Sequence, residues 1–195
     1  MSTPTATGAD ELPRWSIADV HENLTARTFV DDLERVRADV DRLVALFDEH
    51  GVRAIEPRTP TDDDVAATDA VVDGYNDVTA RLEILEAAVY ATVSTDSRDD
   101  TAQSLYSELQ TFDARMRPLL ARLAEWVAGL GVDELAERSG VLRDHHGPLQ
   151  RLAARADRQM SEIEEGLYAE LATTGSVAWG RLHGTVTSQL AAEVA

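Results

Sequence analysis

The chain of 195 residues carries 18 basic and 36 acidic side chains, a formal charge of −18 at neutral pH, with 44% hydrophobic and 28% charged residues. That usage is globular rather than disordered, and the length suits one ordinary domain or two small ones. The acidic excess argues against a nucleic-acid or anionic membrane partner, both of which are bound by basic surface, and the lack of cysteine excludes disulfides, thiolate metal sites and a cysteine nucleophile.

All 18 basic residues are arginine, a pattern that GC-rich coding or an acidic, salt-adapted proteome would each produce. Residues 1–100 hold 9 Arg against 23 acids, and residues 101–195 hold 9 Arg against 13, so the second half is the less repulsive part of the chain. The opening residues have neither a basic n-region nor an apolar h-region, and no window reaches the ~18 apolar residues of a membrane span. A cytoplasmic protein is expected, in which the sequon Asn23-Leu24-Thr25 is idle.

Residues 1–11 are small, polar and broken by Pro4 and Gly8, which predicts a flexible tail. Trp15 is expected to staple the entering segment onto the body of the protein. Ser16 with Asp19 marks a short helical turn, Ile17 to Glu22. From Thr28, the apolar positions Phe29, Leu33, Val36, Val40, Leu43, Val44 and Phe47 recur every three or four residues, predicting a helix stopped at Gly51.

Pro57 and Pro60 make residues 51–61 a connection. Thr61 and Asp64 then form a cap signature, with Asp62, Asp63 and Asp64 at the positive end of the helix dipole. The helix that follows carries Val65, Val71, Val72, Tyr75, Val78, Leu82, Leu85, Val89, Tyr90 and Val93, and ends at the turn Ser94 to Ser97. Leu105, Leu109, Phe112, Met116, Leu119, Leu123, Trp126 and Val127 continue the period to Gly129-Leu130-Gly131, with a kink expected at Pro118.

Shorter helices are expected after that. One covers Val132 to Glu137; a break lies between Gly140 and Gly147; a helix with Pro148 in its first turn ends near Arg158. Ser161 with Glu164 reads as a capping box ahead of Ile163, Leu167 and Leu171, and Ser176 as the cap of a last helix with Trp179, Leu182, Val186 and Leu190 on its stripe. Trp126 and Trp179 are expected in the core. No stretch alternates as a half-buried strand does, so the fold class is all-α: antiparallel long helices forming a bundle or arm over 12–131, followed by shorter helices over 132–195.

Chemistry is sparse. A zinc peptidase helix needs two histidines four apart with a glutamate between them, and His21-Glu22-Asn23-Leu24-Thr25 fails where Thr25 stands for histidine. His145 and His146 are adjacent, so on a helix they point about 100° apart and do not chelate jointly. They read as a solvated loop. Asp62, Asp63 and Asp64 splay around a helix start and read as dipole complement rather than a cation cage. No residue is assigned a catalytic, metal-binding or cofactor-binding role.

Four segments nonetheless resemble, in order, the oligoendopeptidase F family of zinc metallopeptidases, relatives of thimet oligopeptidase. Leu12-Pro13-Arg14-Trp15-Ser16-Ile17-Ala18-Asp19-Val20 is similar to the family's opening, with Ser16 where an acidic residue is usual and His21 where an aromatic is. Val89 to Asp99 resembles its Tyr-Ala-x-Leu stretch with Asp-Thr-x-Asp, Gln159 to Glu165 its Leu-Ser-x-x-Glu-Glu segment, and Ala178 to Leu190 is the most specific match. The resemblance implies the N-terminal helical region of such an enzyme, one wall of a channel for short, unstructured peptides. The zinc-bearing His-Glu-x-x-His domain is absent from these 195 residues, so this chain alone is expected to be inactive and to hold no cofactor. Its implied partners are that catalytic domain or a separate metallopeptidase subunit. The alternative is a free-standing acidic helical interaction module or regulator, with a homodimer seam in place of the missing domain.

Overall fold

The computed structural model describes residues 20–156, 158, 160 and 162–190, the side chains of 162 and 165 excepted. Among them are eight helices and no strand: α1 (Arg27–Glu49), α2 (Asp62–Thr95), α3 (Asp100–Leu130), α4 (Val132–Arg138), α5 (Gly140–Asp144), α6 (His146–Ala156), α7 (Glu162–Thr174) and α8 (Ser176–Ser188). The protein is all-α. No helix among the described residues is long and apolar enough to cross a membrane.

The three long helices form where the apolar period runs unbroken. On α1, Phe29, Leu33, Val36, Val40, Leu43 and Phe47 are all buried. They meet Val71, Val78, Leu82, Leu85 and Val89 of α2 and Leu109, Phe112, Met116, Leu119 and Val127 of α3 in one core. Gly51, at φ 63°, lets the chain leave α1 in a conformation that side-chain-bearing residues avoid. Thr61 and Asp64 start α2 as a reciprocal capping box, and Asp99 starts α3 by accepting from the Ala102 amide at 2.9 Å. Helix α3 continues through Pro118 to Leu130.

Polar cross-links set the direction of each long helix. Asp39 pairs with Arg81, and Gly74 lies against Leu43 and Leu46, so α2 runs antiparallel to α1. Arg37 pairs with Glu108, Arg115 with Asp41 at 2.7 Å and Arg122 with Asp48 at 2.8 Å, so α3 runs parallel to α1. Up, down and up is the order. Asp39 is only 4% exposed and holds Arg42 as well as Arg81.

The 51–61 connection packs against the end of α3. Val52 is fully buried, and the Arg58 amide donates to the Gly129 carbonyl at 2.9 Å. A side chain at 129 would place Cβ 2.7 Å from Ile55 Cγ1 and 2.9 Å from the Ile55 carbonyl oxygen, so glycine is what allows this approach. Beyond α3, Leu135, Leu142 and Leu149 carry the core into α4, α5 and α6.

Several expectations need correction. The break expected after Gly140 contains α5, whose cap Ser139 accepts from the Leu142 amide and donates to Asp69 at 2.5 Å. Val20, His21 and Glu22 are turn and bend rather than the end of a helical segment. Gly175, not Ser176, caps α8, and no side-chain hydrogen bond is made there. Trp179 is 72% exposed rather than core, because α8 turns its other face inward and buries no residue fully. Tyr90 is exposed as well. The 1–11 tail, Trp15, the Ile17 start of the first helical turn, the Ser161 cap and residues 191–195 lie outside the described residues.

Candidate functional site

The adjacent histidines each have a structural partner. His145 Nδ1 lies 2.9 Å from the Val141 carbonyl, which can only accept, so Nδ1 carries the proton and Nε2 accepts from Asn76 at 3.0 Å. His146 Nε2 instead meets Asp133 at 2.7 Å, and that hydrogen bond holds the Asp133 carboxyl below its ordinary range. The two rings are therefore half-buried bridges to different helices and not a solvated loop. His21 is buried edge-on against Phe29, with centroids 5.3 Å apart, and its Nε2 is 3.9 Å from Asp32. No group of three or more His, Asp or Glu among the described residues is arranged to hold a metal ion.

Asp64 serves the fold. It accepts from the Thr61 amide and hydroxyl, both at 2.7 Å, and from Arg58 Nη2 at 2.8 Å. The Arg58 hydrogen bonds, with those of Thr61, hold its carboxyl well below the usual carboxylate range against the opposing effect of burial. A depressed carboxylate stabilises the fold fully above its unfolded value of about 4 and loses that contribution as pH falls toward the folded value. Asp64→Asn is expected to cost about 1–2 kcal/mol at pH 7. Urea titrations repeated downward from pH 7 should show the gap to the parent closing below about pH 4.

One concave surface lies along α3, beneath α7 and α8. A stretch of it shared by α2, α3 and α8 has a volume of about 550 Å³. Tyr90, Ser94 and Ser97 line one side, Gln103, Tyr106 and Gln110 the floor, and Val177, Arg181 and His183 the other side. The ring centroids of Tyr90 and Tyr106 are 6.3 Å apart. Local structure fixes the rim: Ser94 and Thr95 hydroxyls donate back to the Ala91 carbonyl, Asp96 accepts from the Arg98 amide, and Gln103 donates to the Ser97 carbonyl. On α8 the Thr187 hydroxyl donates to the His183 carbonyl at 2.8 Å.

Two further hollows open from this one around Gln110. One, of about 330 Å³, adds Glu86, Asp113 and Arg117; the other, of about 780 Å³, passes Ala114, Pro118 and Gly166. Burial pushes the Glu86 carboxyl upward, and Asp113 and Glu83 add to the effect. Searches of protein-family models, curated proteins and solved structures find no match.

The groove wall carries hydroxyls, carboxamides and two tyrosine rings, groups that satisfy amides and cover side chains, beside Arg181 and His183. Sequence reasoning named none of these as site residues. The only signal available was the run of small and hydroxylated residues in Gly180 to Ser188, which is ordinary for a surface helix.

Proposed function

We propose that this chain is the N-terminal helical region of an oligoendopeptidase F-like zinc metallopeptidase and that its groove is a wall against which short, unstructured peptides lie. One observation carries the reading. Two of the segments that resemble the family, 89–99 and 178–190, are some ninety residues apart in sequence yet line one groove, through Tyr90, Val93, Ser94 and Ser97 on one side and Gly180, Arg181 and His183 on the other. A peptide needs hydrogen-bond partners for its backbone and apolar cover for its side chains, and this lining supplies both.

In the family that these segments resemble, zinc sits on a His-Glu-x-x-His helix, a motif that these 195 residues do not contain. The peptide-hydrolysing chemistry of such an enzyme, water activated by zinc with a glutamate as base, belongs to another domain. This chain would confine and orient the substrate.

The test is to read the coding sequence past Ala195 for about 1,300 bases, the length that a multidomain parent requires. An in-frame His-Glu-x-x-His is the expected result. A stop codon directly after Ala195 would overturn the reading in favour of a free-standing helical interaction module, to which the exposed apolar side chains of α7 and α8 also point.

A further inference from the structure

Helices α7 and α8 are packed with their apolar faces outward. Helix α7 rests on α3 through Ala169 and Ala172, while Ile163, Leu167, Tyr168 and Leu171 point away. On α8 the half-buried side is Val177, Ala178, Arg181 and Thr185, and the exposed side is Trp179, Leu182 and Val186, continued by Leu190 just past the helix end. Those eight apolar side chains are between 51% and 84% exposed. With side chains of about 150–250 Å² each, they present roughly 1,000 Å² of apolar surface, where a monomer's largest patch is about 300–600 Å². We propose that the outward faces of α7 and α8 dock on the same faces of a second copy of this chain, α7 of each protomer against α8 of the other.

Area and charge both favour a second copy. A standard interface needs roughly 800 Å² from each partner, which this patch supplies, and a two-fold pairing covers both copies with one self-complementary contact. In a chain of charge −18, helix α8 contains no acidic residue, and its stripe is flanked by His183 and Gln189. On α7, Glu170 borders the stripe and Glu164 falls within it, between Leu171 and Tyr168. Stacking α7 on α7 would set glutamates against glutamates, whereas α7 on α8 sets them beside His183. The inference goes beyond the peptide-groove reading, since the groove is lined from α8 by Val177, Arg181 and Thr185, with His183 at the border of the two surfaces.

Sedimentation velocity on the full 195-residue chain tests it, from about 1 to about 100 µM. The mass is expected to double within that range. Leu167→Glu and Leu182→Glu should each raise the midpoint at least about 100-fold by placing a charge in the apolar contact, with circular dichroism unchanged because both side chains are exposed in the monomer. Gln189→Glu, outside the groove lining, should raise it about fivefold by like-charge contact. A monomer throughout, a dimer indifferent to both leucine variants, or growth without limit would overturn the dimer. A midpoint that ignores Gln189→Glu would overturn the α7-on-α8 pairing. None of these outcomes bears on the groove, whose test is the coding sequence.

Discussion

Phe47→Ala is expected to remove about 4–6 kcal/mol of stability, a large share of the roughly 5–15 kcal/mol available to a domain. Phe47 is fully buried at the last turn of α1, where its carbonyl accepts from the Val52 amide at 2.9 Å. The Arg122 guanidinium lies over its ring at 5.5 Å from the centroid. That same arginine donates to the Val52 carbonyl and to Asp48, both at 2.8 Å, and its side chain is only 11% exposed. Losing the ring leaves a cavity under a nearly buried cation, so the cavity cost of about 3–5 kcal/mol is joined by about 0.5–2 kcal/mol of cation–π attraction. Phe47→Leu keeps most of the volume and should cost about 1–2 kcal/mol. Urea unfolding measures both, and a loss below about 2 kcal/mol for the alanine variant would show that the ring is not core.

The second large effect is expected at Trp126. Its indole N–H donates to Thr68 Oγ1 at 2.9 Å, and the Thr68 hydroxyl in turn donates to the Asp64 carbonyl at 2.6 Å. Both residues are buried. Trp126→Ala should cost about 3–5 kcal/mol from the cavity alone. The hydrogen bond is isolated by a cycle: Thr68→Val strands a buried indole donor and should cost about 1–3 kcal/mol, and Trp126→Phe removes the donor. The double variant, in which both partners are apolar, should then fall short of the summed losses by about 1 kcal/mol. Strict additivity in thermal or urea unfolding would mean that the bond contributes nothing.

The long helices were legible because one apolar period runs through each of them, and Phe29 to Phe47 needed no tertiary information. The cap of α2 was legible for the same local reason, Thr61 lying three residues before Asp64. Helix α5 was hidden by its five-residue length, although Ser139 ahead of Leu142 was a usable cap signal. The C-terminal helices were recognisable as amphipathic, but the assumption that an apolar stripe turns inward failed. The residues α7 buries against α3 are the small side chains Ala169 and Ala172, so packing there is decided by size rather than by hydropathy. The groove was illegible in principle, since Tyr90 and Arg181 belong to it only once α2 and α8 are placed. Likewise, the burial of Asp39 depends on Arg81, forty-two positions away.

The ties that hold α1 to α2 and α3, from Arg37, Arg81, Arg115 and Arg122, are all guanidinium ties. A guanidinium keeps its proton to a pH above about 12, where a lysine would already have surrendered its own. The Arg37 value is raised further, chiefly by its hydrogen bond to Glu108. Each tie can therefore be opened only from its carboxylate end. The scaffold has an acid limit and almost no alkaline one, so its helices should stay registered above about pH 11, where lysine-based bundles have lost the cations of their ion pairs.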